Sequence, residues 1–156
     1  MMTSLFKGSV QETIACTPTH LYIAPHALLK PYIAHYTLTF SGIGALPDYL
    51  NLIPDASGCM VFTFDGNTLK SLFWGPTTKT QTVTNDKQNI PLRFFIEFNP
   101  GGAHQLLGFS LKDLTDKQYS VDIIQADLSK NITAIFETVK TLQTLIDAVT
   151  LATLAL

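Results

Sequence analysis

Phe98-Asn99-Pro100-Gly101-Gly102-Ala103-His104-Gln105-Leu106-Leu107-Gly108-Phe109 is the stretch on which the fold turns. Upstream of it, residues 93–98 alternate in period two, as a strand does. Downstream, the apolar residues recur at helical spacing. Pro100-Gly101-Gly102 interrupts both patterns, because proline lacks an amide donor and glycine accepts turn conformations closed to other residues. Leu114-Thr115-Asp116 follows shortly after. With Glu97 before the break and His104 after it, the segment has two readings. It is either the rim of a metal-dependent barrel enzyme or a corner with no chemistry of its own.

Before the corner, the chain reads as short strands. Tyr32, Ala34, Tyr36, Leu38 and Phe40 fall on one face of a strand over 32–40. Met60, Phe62 and Phe64 alternate with Cys59, Val61 and Thr63, and Asp65-Gly66-Asn67 supplies a hairpin turn into a return strand over 69–74. Residues 77–84 are polar and β-branched, as on an edge strand. Phe94, Ile96 and Phe98 share one side of the last strand. Many short strands at this spacing predict a barrel or sandwich. Its aromatic faces either fill the interior or line a cavity for an apolar or planar small molecule. The expected lining is Tyr36, Phe62, Phe64, Trp74 and Phe98, with Glu97 or His104 as a polar contact.

After the corner the period becomes helical. Asp127 or Ser129 caps a long helical section in which Ile132, Ile135, Val139, Leu142, Ile146 and Val149 recur at alternating three- and four-residue spacing. Thr144 and Asp147 start a second helix, so two helices are expected, over 131–142 and 145–156. The expected fold is mainly β with C-terminal α: a barrel over 1–128, then helices over 129–156 in the same compact unit. Ile135, Val139, Leu142, Ile146 and Val149 form the expected dimer interface. The apolar ending Leu154-Ala155-Leu156 suggests a helix that continues in a longer protein, or one covered by a partner.

Composition narrows the function. The chain is 46% hydrophobic and 14% charged, against a usual charged fraction of roughly 25%. So low a charge suggests apolar area covered by a partner, another domain or a ligand. Ten basic and twelve acidic residues give a net charge of −2 with no basic run. That argues against nucleic-acid binding by this chain alone, since phosphate contacts need clustered Lys and Arg. Cys16 and Cys59 have no CxxC spacing and read as reduced packing residues. No signal-peptide core or membrane-length apolar run is visible, so a cytoplasmic location is expected.

Catalytic motifs are sparse. A metal-dependent barrel enzyme needs His and Glu ligands converging from neighbouring strands. Pro100-Gly101-Gly102-Ala103-His104 echoes one half of such a set, but His20, His26 and His35 form no His-x-His pair. Neither a Gly-x-Ser-x-Gly elbow nor a phosphate-binding glycine loop occurs. Asp48, Asp55, Asp65 and Glu97 are the candidate carboxylates, and the three aspartates sit in turn-like contexts. No metal or cofactor is expected.

Taken in order, these segments resemble the N-terminal domain of AraC-type bacterial transcription regulators. The likeness rests on Pro25 with Leu29-Lys30-Pro31-Tyr32-Ile33-Ala34-His35-Tyr36, on Ile53-Pro54-Asp55, and on Gly58-Cys59-Met60-Val61-Phe62. Ala56-Ser57, lying between Asp55 and Gly58, departs from the pattern. Gly75-Pro76-Thr77-Thr78, the stretch from Phe98 to Gly108, and Leu114-Thr115-Asp116 continue the series. Ala126-Asp127-Leu128 and Ile135-Phe136-Glu137-Thr138-Val139 complete it. The resemblance runs from about Leu21 to the C-terminus. It implies a cupin-like β-barrel sensor for an unidentified small-molecule effector, followed by helices that form a homodimer. DNA would be bound only through a C-terminal helix-turn-helix domain outside this chain. A metal-dependent cupin-like enzyme and a ligand-free dimerisation module remain as alternatives.

Overall fold

The computed structural model describes residues 13–40, 47–65, 67–85, 92–138 and 142–156. Strand β1 (Thr13–Cys16) leads into β2 (His20–Ile23), β3 (Ile33–Phe40), β4 (Tyr49–Leu52), β5 (Cys59–Phe64), β6 (Leu69–Trp74), β7 (Gln81–Thr84) and β8 (Leu92–Phe98). Helix α1 (Gly102–Leu107), strand β9 (Gln118–Ser120) and helices α2 (Val121–Ile124), α3 (Ala126–Thr138) and α4 (Leu142–Leu154) follow. The described strands form antiparallel sheets: one of seven in the order β1-β2-β3-β8-β5-β6-β9, and a separate pair, β4-β7. The fold is therefore mainly β with helices chiefly at the C-terminal end. Among the described strands the sheets stay open, so no closed barrel forms.

One face of the large sheet carries the core. Tyr36, Leu38, Met60, Phe62, Phe73, Phe94, Ile96 and Phe98 are all buried there. Helices α3 and α4 lie against this face. Phe136 of α3 meets Phe64 and Phe94, each with ring centroids 6.4 Å apart, and Ser71 meets Ser129 at 3.2 Å. Tyr36 is fully buried, its hydroxyl turned toward Thr150 of α4 at a geometry too loose for a full hydrogen bond.

Strict alternation fails in β3. A register shift between Ile33 and His35 marks a bulge, so Ile33 is buried like Tyr36 while Ala34 is exposed. An inserted residue rotates the strand by one position, and simple period two then assigns the wrong face. The expected strand over 77–84 shortens to β7, because the backbone before it turns to meet the segment after β4. There the Thr77 amide donates to the Asp55 carbonyl at 2.7 Å, and the Asp55 amide donates to Thr77 Oγ1 at 2.9 Å.

The corner at Pro100 is fixed by close packing. Asn99 donates its amide to the Tyr32 carbonyl (2.8 Å) and its side-chain amide to the Lys30 carbonyl (2.8 Å). A Cβ on Gly102 would stand 2.0 Å from the Tyr32 carbonyl oxygen, so only glycine fits there. A second docking joins Gly75-Pro76-Thr77-Thr78 to Leu114-Thr115-Asp116. Asp116 accepts from the Thr78 amide (2.7 Å) and hydroxyl (2.6 Å), and donates its own amide to the Pro76 carbonyl (2.8 Å). It does so at φ 58°, and a Cβ on the facing Gly75 would lie 1.9 Å from the Leu114 carbonyl oxygen.

The two C-terminal helices are present, with α3 beginning five residues earlier than the expected 131. Their seam is not free for a partner. Ile146 and Val149 are 1% and 0% exposed and Ile135 is partly buried, all packed into the chain's own core. Val139 lies outside the described residues, and of Leu142 only its place in α4 is described. For Ile135, Ile146 and Val149 the apolar period therefore reports packing within the chain, since helices packed onto a sheet have the same signature as a helix–helix seam.

Candidate functional site

A cavity of about 1000 Å³ lies between β5, β6 and β8 and the β4–β7 pair, and it reaches past the β6 edge to Asp122 of α2 and to Ser129 and Thr133 of α3. Cross-strand register divides its floor into three rungs. Trp74, Cys59 and Glu97 form the first; Leu72, Val61 and Phe95 the second; Lys70, Thr63 and Arg93 the third. Leu50, Leu52 and Val83 face them from β4 and β7. At about 3.3 Å per residue, the first and third rungs are roughly 13 Å apart. The result is a long trough with an apolar middle rung, Glu97 on its first rung, Lys70 and Arg93 on its third, and a further carboxylate, Asp122, on its border.

Asp55 completes the acidic end. Its carboxylate is held in a turn, accepting from the amides of Ser57 (3.0 Å) and Gly58 (3.2 Å). Burial, reinforced by the charge of Asp55, raises the Glu97 pKa from the usual carboxylate range to about 7. Burial, then the charges of Glu97 and Asp55, push the Cys59 thiol well above its ordinary value. The thiol therefore stays protonated and is a poor nucleophile. His35 is the cross-strand partner of Glu97 on β3, and burial lowers its pKa.

The expected lining residues divide sharply. Trp74 and Glu97 line the cavity. Tyr36, Phe62 and Phe98 instead belong to the buried core, and Phe64 packs on Phe136, all on the helix-facing side. His104 is exposed near the end of α1, where its Nδ1 lies 2.7 Å from the Phe109 carbonyl oxygen. It is a local fastening, away from the cavity. Residues missed by sequence reasoning are Val61, Leu72, Arg93 and Phe95, while Asp55 was among the candidate carboxylates but read as a turn residue. Each of the four alternates with a core residue, so period two could have identified them had the other face of the sheet been considered.

Among the described residues, no group of three or more His, Cys, Asp or Glu side chains is arranged to hold a metal ion. Nor is any described helix long and apolar enough to cross a membrane.

A model described as Domain of unknown function (DUF6597) matches residues 21–120, which takes in β2 through β9, and the chain belongs to that family. Searches of curated proteins and of solved structures found no significant match.

Proposed function

We propose that this chain is the effector-binding and dimerisation domain of an AraC-type transcription regulator, a cupin-like sensor whose DNA-binding helix-turn-helix domain lies elsewhere in the full protein. One observation carries the reading: the cavity walled by β5, β6 and β8 also borders helix α3 at Ser129 and Thr133, and α3 packs on the same strands through Phe136 and Ser129. A ligand that fits one spacing of these strands better than another shifts the helices with them, and only that difference in affinity can act as a signal. Lining of this kind, mainly apolar with a few convergent polar groups, suits a small organic molecule.

Because Ile146 and Val149 are covered internally, the dimer in this reading forms through the outer side of α4, where Leu151 and Leu154 are 68% and 39% exposed. The test is a thermal-shift screen of small molecules combined with sedimentation. An effector should raise the Tm as RT ln(1 + [L]/Kd) requires. It should also change the dimer dissociation constant, while Leu151→Asp should give a folded monomer. A strict monomer at high concentration, with no compound raising the Tm, would overturn the reading.

A further inference from the structure

The placement of the cavity's charged groups constrains the occupant. At the first rung two carboxylates, Glu97 and Asp55, share one end with the indole of Trp74. The second rung offers only carbon: Leu72, Val61 and Phe95, faced by Leu50, Leu52 and Val83. Among the described residues the Glu97 carboxylate makes no hydrogen bond or ion pair, and its side chain is half-buried against the cavity. A carboxylate in that position is costly when charged and unsatisfied, so the site favours an occupant that brings a positive charge or a strong donor. An aromatic face beside the carboxylates attracts a cation as well. Lys70 and Arg93 line the trough roughly 13 Å away, and a third carboxylate, Asp122, also borders it, so the first-rung carboxylates are those with no Lys or Arg on their own rung.

We propose that the cavity binds an elongated apolar amine, its ammonium group between Glu97 and Asp55 against Trp74 and its hydrocarbon or aromatic body along Val61, Leu72 and Phe95. The assignment rests on the effector-binding reading above and adds the chemical class of the effector. A neutral molecule of the same shape would leave the charge of Glu97 uncompensated. An acid of the same shape would meet like charge at the first rung and would have to reverse, with its head at Lys70 and Arg93.

The test uses the chain's single tryptophan, which lines the site. Phenylbutylamine, phenylbutanol and phenylbutyric acid are titrated in turn at pH 8 while Trp74 fluorescence and the Tm are followed. The amine should bind at least tenfold more tightly than the alcohol, and the acid most weakly. The amine's advantage should shrink at pH 6, where Glu97 takes up a proton. The groups near it are Asp55, Cys59, which stays a thiol, and His35, held toward its neutral form by burial, with Arg93 two rungs away. Glu97→Gln should remove most of the amine's advantage while leaving the alcohol's affinity unchanged, and Asp55→Asn should remove part of it. Equal binding of amine and alcohol, or tightest binding of the acid, would overturn the cation assignment and leave the cavity as an effector site. Failure of all three to move either signal would overturn both. The Tm of each variant without ligand separates loss of binding from loss of fold.

Discussion

Asp116 grips Thr78 twice, its two carboxylate oxygens taking the Thr78 amide and hydroxyl at 2.7 and 2.6 Å. The pair joins the segment after β6 to the turn before β9, two places far apart in sequence. The same turn places Gly75 against the Leu114 carbonyl, so the clasp is covalently simple but sterically exacting. These hydrogen bonds, chiefly from the Thr78 side chain and then its amide, hold the Asp116 carboxyl below its ordinary pKa. A carboxyl depressed on folding contributes stability above its unfolded pKa and loses it as pH falls through the folded value. Thr78→Val or Asp116→Asn should therefore lower the Tm by a few degrees at pH 7, and the difference from the parent protein should shrink in acid. Thermal unfolding from pH 7 down to pH 2 checks it.

Glu97 has the opposite sign. Its folded pKa of about 7 exceeds the ordinary 4.5, so its contribution is fully favourable below the unfolded value and is lost as pH rises through 7. Glu97→Gln should leave stability nearly unchanged at pH 4.5 and raise it at pH 8, by up to roughly 2–3 kcal/mol. Chemical denaturation at the two pH values reads this difference without any ligand. A variant that is equally stabilised at both would show that the carboxylate is not desolvated.

At the corner, Gly102 and Gly101 predict different costs. A methyl group on Gly102 would run into the Tyr32 carbonyl at 2.0 Å, so Gly102→Ala must push β3 and β8 apart, at a cost of about 3 kcal/mol. Gly101 has φ 78° but open space around a Cβ, its nearest neighbour being the tip of Gln105 at 3.9 Å. Gly101→Ala should cost only about 1 kcal/mol of backbone strain. Urea unfolding of the two variants side by side gives the ranking.

Phe62 and Trp74 separate core from cavity. Phe62 is 0% exposed among Phe94 and Met60, and Phe62→Ala should cost about 3–5 kcal/mol. Trp74 borders empty volume, so Trp74→Leu should be tolerated in the fold while altering whatever the cavity binds. Tm measurements and binding of a hydrophobic dye to each variant distinguish the two roles.

The β5–β6 hairpin was legible in the sequence because local signals carry it, whereas β1, β2, β4 and β9 were not read as strands. Asp65 accepts from the amides of Asn67 and Thr68, the very turn that the residue types suggest. The corner and the two helices were legible for the same reason. Which face of the sheet carried the site was not. Phe62 and Phe94 alternate with Val61 and Phe95, so both faces are apolar and aromatic density singled out the core instead of the cavity. The pairing of Tyr49–Leu52 with Gln81–Thr84, which closes the cavity, depends on contacts distant in sequence and leaves no periodic trace. The match between Glu97 and Asp55 was hidden likewise: an aspartate after a proline reads as a turn residue, and here it is that and a neighbour of a buried glutamate.

The order of the strands also sets how the chain must assemble in time. β5 and β6 are neighbours in sequence and can close early around the Asp65 turn, whereas β3 must wait for β8 to be made before the central pairing exists. Local hairpins form in microseconds, while topologies dominated by distant pairing fold in milliseconds to seconds. The slow step then falls on the β3–β8 junction and the Asn99–Tyr32 corner that finishes it. Changes at the Asp65 turn should act on how fast the protein folds, and changes at the corner on how long it stays folded.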